Sequence, residues 1–262
     1  MKLPQGFLYS ATYAGIRKVE KDDLALIVSE KRAAAAAVFT QNRAAAGPVE
    51  IARKNVRAAR GRMRGILINA GNANCATKTS VKVAIETSRA AAKAIGARKE
   101  EVLPASTGVI GVELDGQLIV KAIPALVEGL SADRFEDAAR AIMTTDLVMK
   151  TAFAEVKGAR IAGMTKGSGM IHPRMATTLA FVMTDAVIAP DGLRKALKRA
   201  CAKTFNRISV DGDTSTNDTL VVLANGASGV RPRGKAFEAA LTEVLESLAK
   251  QIVKDGEGAK KL

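Results

Sequence analysis

Short uninterrupted apolar runs alternate along this chain with stretches in which apolar residues recur every three or four positions. Leu24-Ala25-Leu26-Ile27-Val28 and Gly65-Ile66-Leu67-Ile68-Asn69 read as strands, as do Leu179-Ala180-Phe181-Val182-Met183 and Leu220-Val221-Val222-Leu223. Residues 151–156 and 159–164 read as two strands joined by Lys157-Gly158. Residues 81–95 follow a helical period, with Ser80 as a candidate N-cap and Gly96 at the end. Further helices are predicted near 134–143, 191–204 and 235–254. In the last, Phe237, Leu241, Val244, Leu245, Leu248 and Ile252 share one face. Such a face predicts an apolar surface awaiting cover. The run Ala33–Ala37 reads as a close-packed surface, and no internal repeat is present. Alternation of the two periods predicts an α/β or α+β layered protein, with sheets packed against helices.

Composition narrows the class. Of 262 residues, 48% are hydrophobic and 25% charged, which suits a folded domain with a sizeable core. No run of eighteen apolar residues occurs, so no membrane span is expected. The first residues lack the apolar core of a secretory signal. Two cysteines, Cys75 and Cys201, make no disulfide framework, and a cytoplasmic location is expected. The net charge of +14 raises nucleic-acid binding as a function, but the basic residues are dispersed and aromatic residues make up only 3%. No nucleic-acid partner is expected, and Arg194–Arg199 reads as a solvated helix face.

The single histidine, His172, limits the chemistry further. Two-histidine metal sites are excluded, and with two cysteines a structural zinc site is not expected. Asp211–Asp218 starts like a calcium loop, but Thr216 and Val222 occupy the places that need Gly and Glu, so it reads as a polar loop buttressing a site. Lys166-Gly167-Ser168-Gly169 lacks the order of a phosphate-binding loop. It leads instead, through Met175-Ala176-Thr177, to an apolar strand. A threonine at a strand mouth can attack the carbonyl before it, shift the acyl group to oxygen, and become an N-terminal residue once water completes the cut. Its α-amine, with a reference pKa of about 7.7–8.0, then serves as general base without a histidine. An ordinary loop before a strand is the other reading of the same residues.

At this segment the chain resembles the ornithine acetyltransferases, or glutamate N-acetyltransferases, of arginine biosynthesis. The likeness rests on Lys166 to Met170, Met175-Ala176-Thr177, and Thr184-Asp185 at the end of the following strand. Further segments resemble the same family in the same order. They are Ala36–Thr40 with Asn42-Arg43, Asn69–Asn74, Ser106–Gly111, Met143–Asp146 with Lys150, Phe205–Asp218, and Asp255-Gly256-Glu257-Gly258.

The resemblance implies a self-cleaving, N-terminal-nucleophile-like acyltransferase fold. Cleavage between Ala176 and Thr177 would divide the chain into 1–176 and 177–262. Thr177 is implied as nucleophile, Thr107 and Gly108 as the oxyanion hole, and Thr144, Lys166, Thr177 and Glu257 as substrate-binding residues. The implied reaction is ping-pong transfer of acetyl from N-acetylornithine to glutamate, which needs no metal or organic cofactor, and some members also use acetyl-CoA. The implied assembly is an oligomer of paired cleaved chains. Leu147-Val148-Met149 and Arg174 depart from the family pattern. Family members also continue beyond Asp255–Leu262 into a further domain, so 177–262 reads as the start of the second chain only. The alternatives are a related acyltransferase or amidohydrolase with another substrate, an inactive fragment, or a basic binding protein.

Overall fold

The computed structural model describes residues 2–170 and 178–256. Among them eight strands form one mixed sheet in the order β4-β3-β2-β8-β7-β6-β5, with β1 paired to β2 off this path. The strands are β1 (Phe7–Thr12), β2 (Leu24–Phe39), β3 (Arg62–Asn69), β4 (Val102–Ser106), β5 (Lys150–Val156), β6 (Ala159–Lys166), β7 (Leu179–Thr184) and β8 (Thr219–Ala224). The helices are α1 (Gly47–Ala58), α2 (Ser80–Ala94), α3 (Gly116–Glu128), α4 (Phe135–Ala141), α5 (Pro190–Lys203) and α6 (Gly234–Lys254).

The long strand β2 organises the molecule. Its first half pairs with β1 and β3, and its second half with β8, with a register shift between Val28 and Ala33. The alanine run falls in the second half, where side chains alternate between faces. Ala34 and Ala36 join a core with α5 and α6, while Ala33 and Ala35 join a central core shared by strands from both ends of the sheet. In the first half, Leu24, Leu26 and Val28 pack instead with α2 and α3. Helix pair, strand face, shared core, strand face, helix pair is the layered α/β order that the alternating periods predict.

Every strand expected from the sequence is present, most of them longer by one to several residues. Lys157 and Gly158 form the β5–β6 turn with φ of 53° and 89°, the left-handed pair that matches the twist of a two-residue hairpin. Two expectations are corrected. Ser80 lies inside the first turn of α2 rather than capping it. Its hydroxyl accepts from the Gly47 N–H at 3.0 Å and donates to the Asn74 carbonyl, so it fastens α1 and the 69–74 loop to α2. The apolar face of α6 is not left open: all six of its residues are buried, within a core formed with β5, β6 and α5. The periodicity did not reveal β1, β4, α1 or α3.

Candidate active site

The sheet places several chain crossings at one end. Parallel β3 and β4 end there, β6 ends there, and parallel β7 and β8 begin there. The residues just outside these ends enclose a cavity of about 590 Å³. Thr107, Gly108, Thr144 and Lys166, drawn from three separate segments, all line it. So do Ala70, Gly71 and Ala73 of the asparagine-rich loop and Asp211, Asp213, Ser215 and Asn217 of the polar loop before β8. Thr177, Ala176, His172 and Glu257 lie outside the described residues. Thr178 follows Thr177 in the chain, is buried, and borders a small void beside the cavity with Thr107, Lys166 and Asp218.

Hydrogen bonds set each part. Asn69 donates from Nδ2 to the Ser106 hydroxyl at 2.8 Å, and its carbonyl accepts the Thr107 N–H at 2.9 Å. Asn217 donates to the carbonyls of Ala73 and Ser106, at 2.7 and 2.9 Å, which ties the β8 approach to both loops. Gly108 has φ of 130°, and a Cβ there would meet the Gly71 carbonyl carbon at 2.4 Å and the Asn72 nitrogen at 2.6 Å. Only glycine fits between these backbones. Lys166 Nζ donates to Thr107 Oγ1 at 3.4 Å. An ammonium has no lone pair, so the Thr107 hydroxyl must accept, which leaves its own proton free for an oxygen in the cavity.

Charge is concentrated around Lys166. Its side chain is buried, and that burial holds its ammonium below the usual lysine range. Asp146 and Asp218 oppose the shift, whereas Lys150 and Arg17 add to it. Asp146 is buried too, which alone would raise its pKa. The charge of Lys166 and hydrogen bonds from Lys150, Gly167 and Thr144 outweigh this and hold it below the usual carboxylate range. Asp218 borders the small void together with Lys166. Its Oδ1 accepts the Thr178 N–H at 3.0 Å, while Oδ2 is buried without a partner among the described residues. Burial pushes this carboxyl well above its ordinary value.

Arg17, in the loop after β1, was not singled out from the sequence. Its Nε donates to the Ala70 carbonyl at 2.5 Å and Nη2 to the Met143 carbonyl, so it joins two walls of the cavity. A lone arginine in a loop gives no periodic or motif signal. Asp218 could have been noticed, because a carboxylate directly before a buried apolar strand invites a partner.

A mixed sheet layered with helices, with five strand ends gathered around one cavity, defines the class of fold, and solved structures agree with it at that level. The L-aminopeptidase D-Ala-esterase/amidase of Ochrobactrum anthropi, a variant of the Ntn hydrolase fold, is similar over 97% of this chain and 85% of its own, with a TM-score of 0.57 and 10% identity. The chain belongs to the ArgJ family, whose model matches residues 8–262. It is 48% identical to the arginine biosynthesis bifunctional protein ArgJ of Thermus thermophilus, over 100% of this chain and 68% of the relative's length. Two solved family structures are similar. The ArgJ protein of Bacillus halodurans has a TM-score of 0.58 and 32% identity, over 66% of this chain and 92% of its own. The ornithine acetyltransferase of Mycobacterium tuberculosis, crystallised with ornithine, has a TM-score of 0.59 and 30% identity, over 67% and 94%.

Proposed function

We propose that this chain is an ornithine acetyltransferase of arginine biosynthesis that moves acetyl from N-acetylornithine to glutamate through an ester on Thr177. The observation that carries the reading is the convergence of Thr107, Gly108, Thr144 and Lys166 on one cavity beside Thr178. The membership in the ArgJ family supports the reaction class. The small amino-acid ligand in the Mycobacterium tuberculosis enzyme supports substrates of that size. The chain would be cut between Ala176 and Thr177. Residues 1–176 make up about the share of the chain that each solved family structure covers.

The steps follow from the groups. The Thr177 α-amine takes the hydroxyl proton, and the oxygen attacks the acetyl carbonyl. Negative charge on the tetrahedral oxygen is met by the Thr107 hydroxyl, whose oxygen already accepts from Lys166, and by the Gly108 N–H. The carbon–nitrogen bond breaks, and ornithine leaves with the proton. The α-amine of glutamate then attacks the acetyl ester, the Thr177 oxygen leaves and regains its proton, and N-acetylglutamate is released. Lys166 offers charge to a substrate carboxylate, Thr144 a hydroxyl to its backbone, and Glu257 a carboxylate to the ornithine ammonium. Acetyl-CoA as a second donor and an oligomer of cleaved pairs belong to the same reading.

Intact mass after expression tests it. The expected result is two pieces, the second beginning at Thr177, with Thr177→Ala uncut and unable to transfer acetyl. Cutting of that variant by purified protein alone would remove Thr177 from its role. Acetyl release to water in place of glutamate would make the protein an amidohydrolase.

A further inference from the structure

We propose that Asp146 is the positioning residue of the substrate side of the cavity: one buried carboxylate fixes the Thr144 loop and the Lys166–Gly167 corner together, and supplies the counter-charge of Lys166. The proposal rests on the reading of Lys166 as the group that receives a substrate carboxylate.

The geometry is specific. Asp146 Oδ2 accepts the Thr144 N–H at 2.9 Å, and Oδ1 accepts the Gly167 N–H at 2.6 Å and Lys150 Nζ at 2.7 Å. The side chains of Asp146 and Lys150 are 0% exposed. Lys150 has a second carboxylate partner, Asp255, at 2.5 Å and also buried. With Lys150 balanced by Asp255, the charge left to balance Asp146 is that of Lys166. Two of the residues implied in substrate binding therefore hang on this carboxylate, Thr144 through its own backbone and Lys166 through the next residue.

The field on Lys166 gives Asp146 a second consequence. The charged groups acting on the lysine are Asp146 and Asp218, which favour its ammonium form, and Lys150 and Arg17, which disfavour it together with burial. Removing Asp146 leaves the two cations and burial opposed by Asp218 alone. Lys166 then sheds its proton at lower pH, and a neutral amine holds a carboxylate far less strongly than an ammonium does.

N-acetylglutamate is a suitable probe, because it carries only carboxylates and does not titrate between about pH 6 and 10. Its binding is followed by calorimetry over that range on the full chain and its variants. Wild-type affinity is expected to fall at alkaline pH as Lys166 and the Thr177 α-amine lose their protons, and the variants read the Lys166 part because they leave the α-amine in place. In Asp146→Asn the midpoint of that fall should move down by about one pH unit or more. Lys150→Met removes a like charge and should move it the other way, which reads the same field if Asp146→Asn does not fold. Equal weakening at every pH with an unmoved midpoint would make Asp146 a merely structural residue and overturn the proposal. Lys166→Met separates the two levels. Wild-type affinity in that variant would overturn the substrate reading itself, whereas weak binding there with an unmoved Asp146→Asn midpoint would overturn only the role of Asp146.

Discussion

Asp218 meets the chain one residue beyond the proposed nucleophile, with one oxygen on the Thr178 N–H and the other buried and unpaired among the described residues. Burial raises its folded pKa above the value in the unfolded chain. Between those two values the folded state binds the extra proton, so stability falls as pH rises through the interval. An amide keeps the acceptor for Thr178 and has no charge to desolvate. On the uncut Thr177→Ala background, urea denaturation should therefore find Asp218→Asn more stable than its parent at pH 7 and nearly equal to it below about pH 4. At Thr107 the expected effect is on rate. Thr107→Ala should slow acetyl transfer by roughly 10²-fold or more, as loss of one oxyanion donor does elsewhere, with processing and folding checked by mass and circular dichroism. An unchanged rate would place the donor on another residue. Gly108→Ala should fail more completely, because its Cβ would press on the Gly71 and Asn72 backbone.

At the scale of elements, α6 shows how packing resolves what a period leaves open. Its apolar face is legible in the sequence, but the surface that receives it is made by β5 and β6, which lie far earlier in the chain. Gly163 of β6 lets the helix approach: a Cβ there would stand 3.0 Å from both Val244 and Leu248. Gly163→Val should overpack this contact and lower stability by about 1–3 kcal/mol. Leu248→Ala should lower it by about 2–5 kcal/mol through the cavity it leaves. Chemical denaturation measures both. A neutral Gly163→Val would mean that the helix can slide on the sheet. The strand β2 makes the same point from the other side. Its alanines carry little hydrophobic signal individually, yet small side chains on both faces let two cores close on one strand.

For the whole molecule, the sheet decides what the proposed cleavage would do. β6 lies before the proposed cut and β7 after it, and the two are paired along their length from Ile161↔Thr184 to Lys166↔Leu179. β8 pairs with β7 and also with β2, so residues after the cut are held on both sides by residues before it. The two pieces should elute as one particle in size-exclusion chromatography under native conditions and separate only in denaturant. Separation in plain buffer would contradict the sheet order. Among the described residues no helix is long and apolar enough to cross a membrane. The densest basic run of the sequence lies on α5, whose Arg194, Lys195 and Lys198 are exposed.

The sequence by itself determined the strand and helix periods, the hairpin at Lys157-Gly158, the apolar face of α6 and the segments that mark the family. Each of these depends on local geometry or on residue types at short spacing. It did not determine β1, whose apolar run is interrupted by Ser10, or β4, which carries Pro104, nor α1 and α3, which carry Pro48 in the first turn and Pro124 inside the helix. Only the tertiary structure decided that Ser80 fastens three segments instead of capping one, that Arg17 joins two walls of the cavity, and that Asp146, Lys150 and Asp255 share one buried cluster. The reason is physical. A hydrogen bond or ion pair between residues a hundred positions apart leaves no period in the chain. It is set when the sheet order brings the ends of β3, β4, β6, β7 and β8 to the same place, where buried charges must find partners.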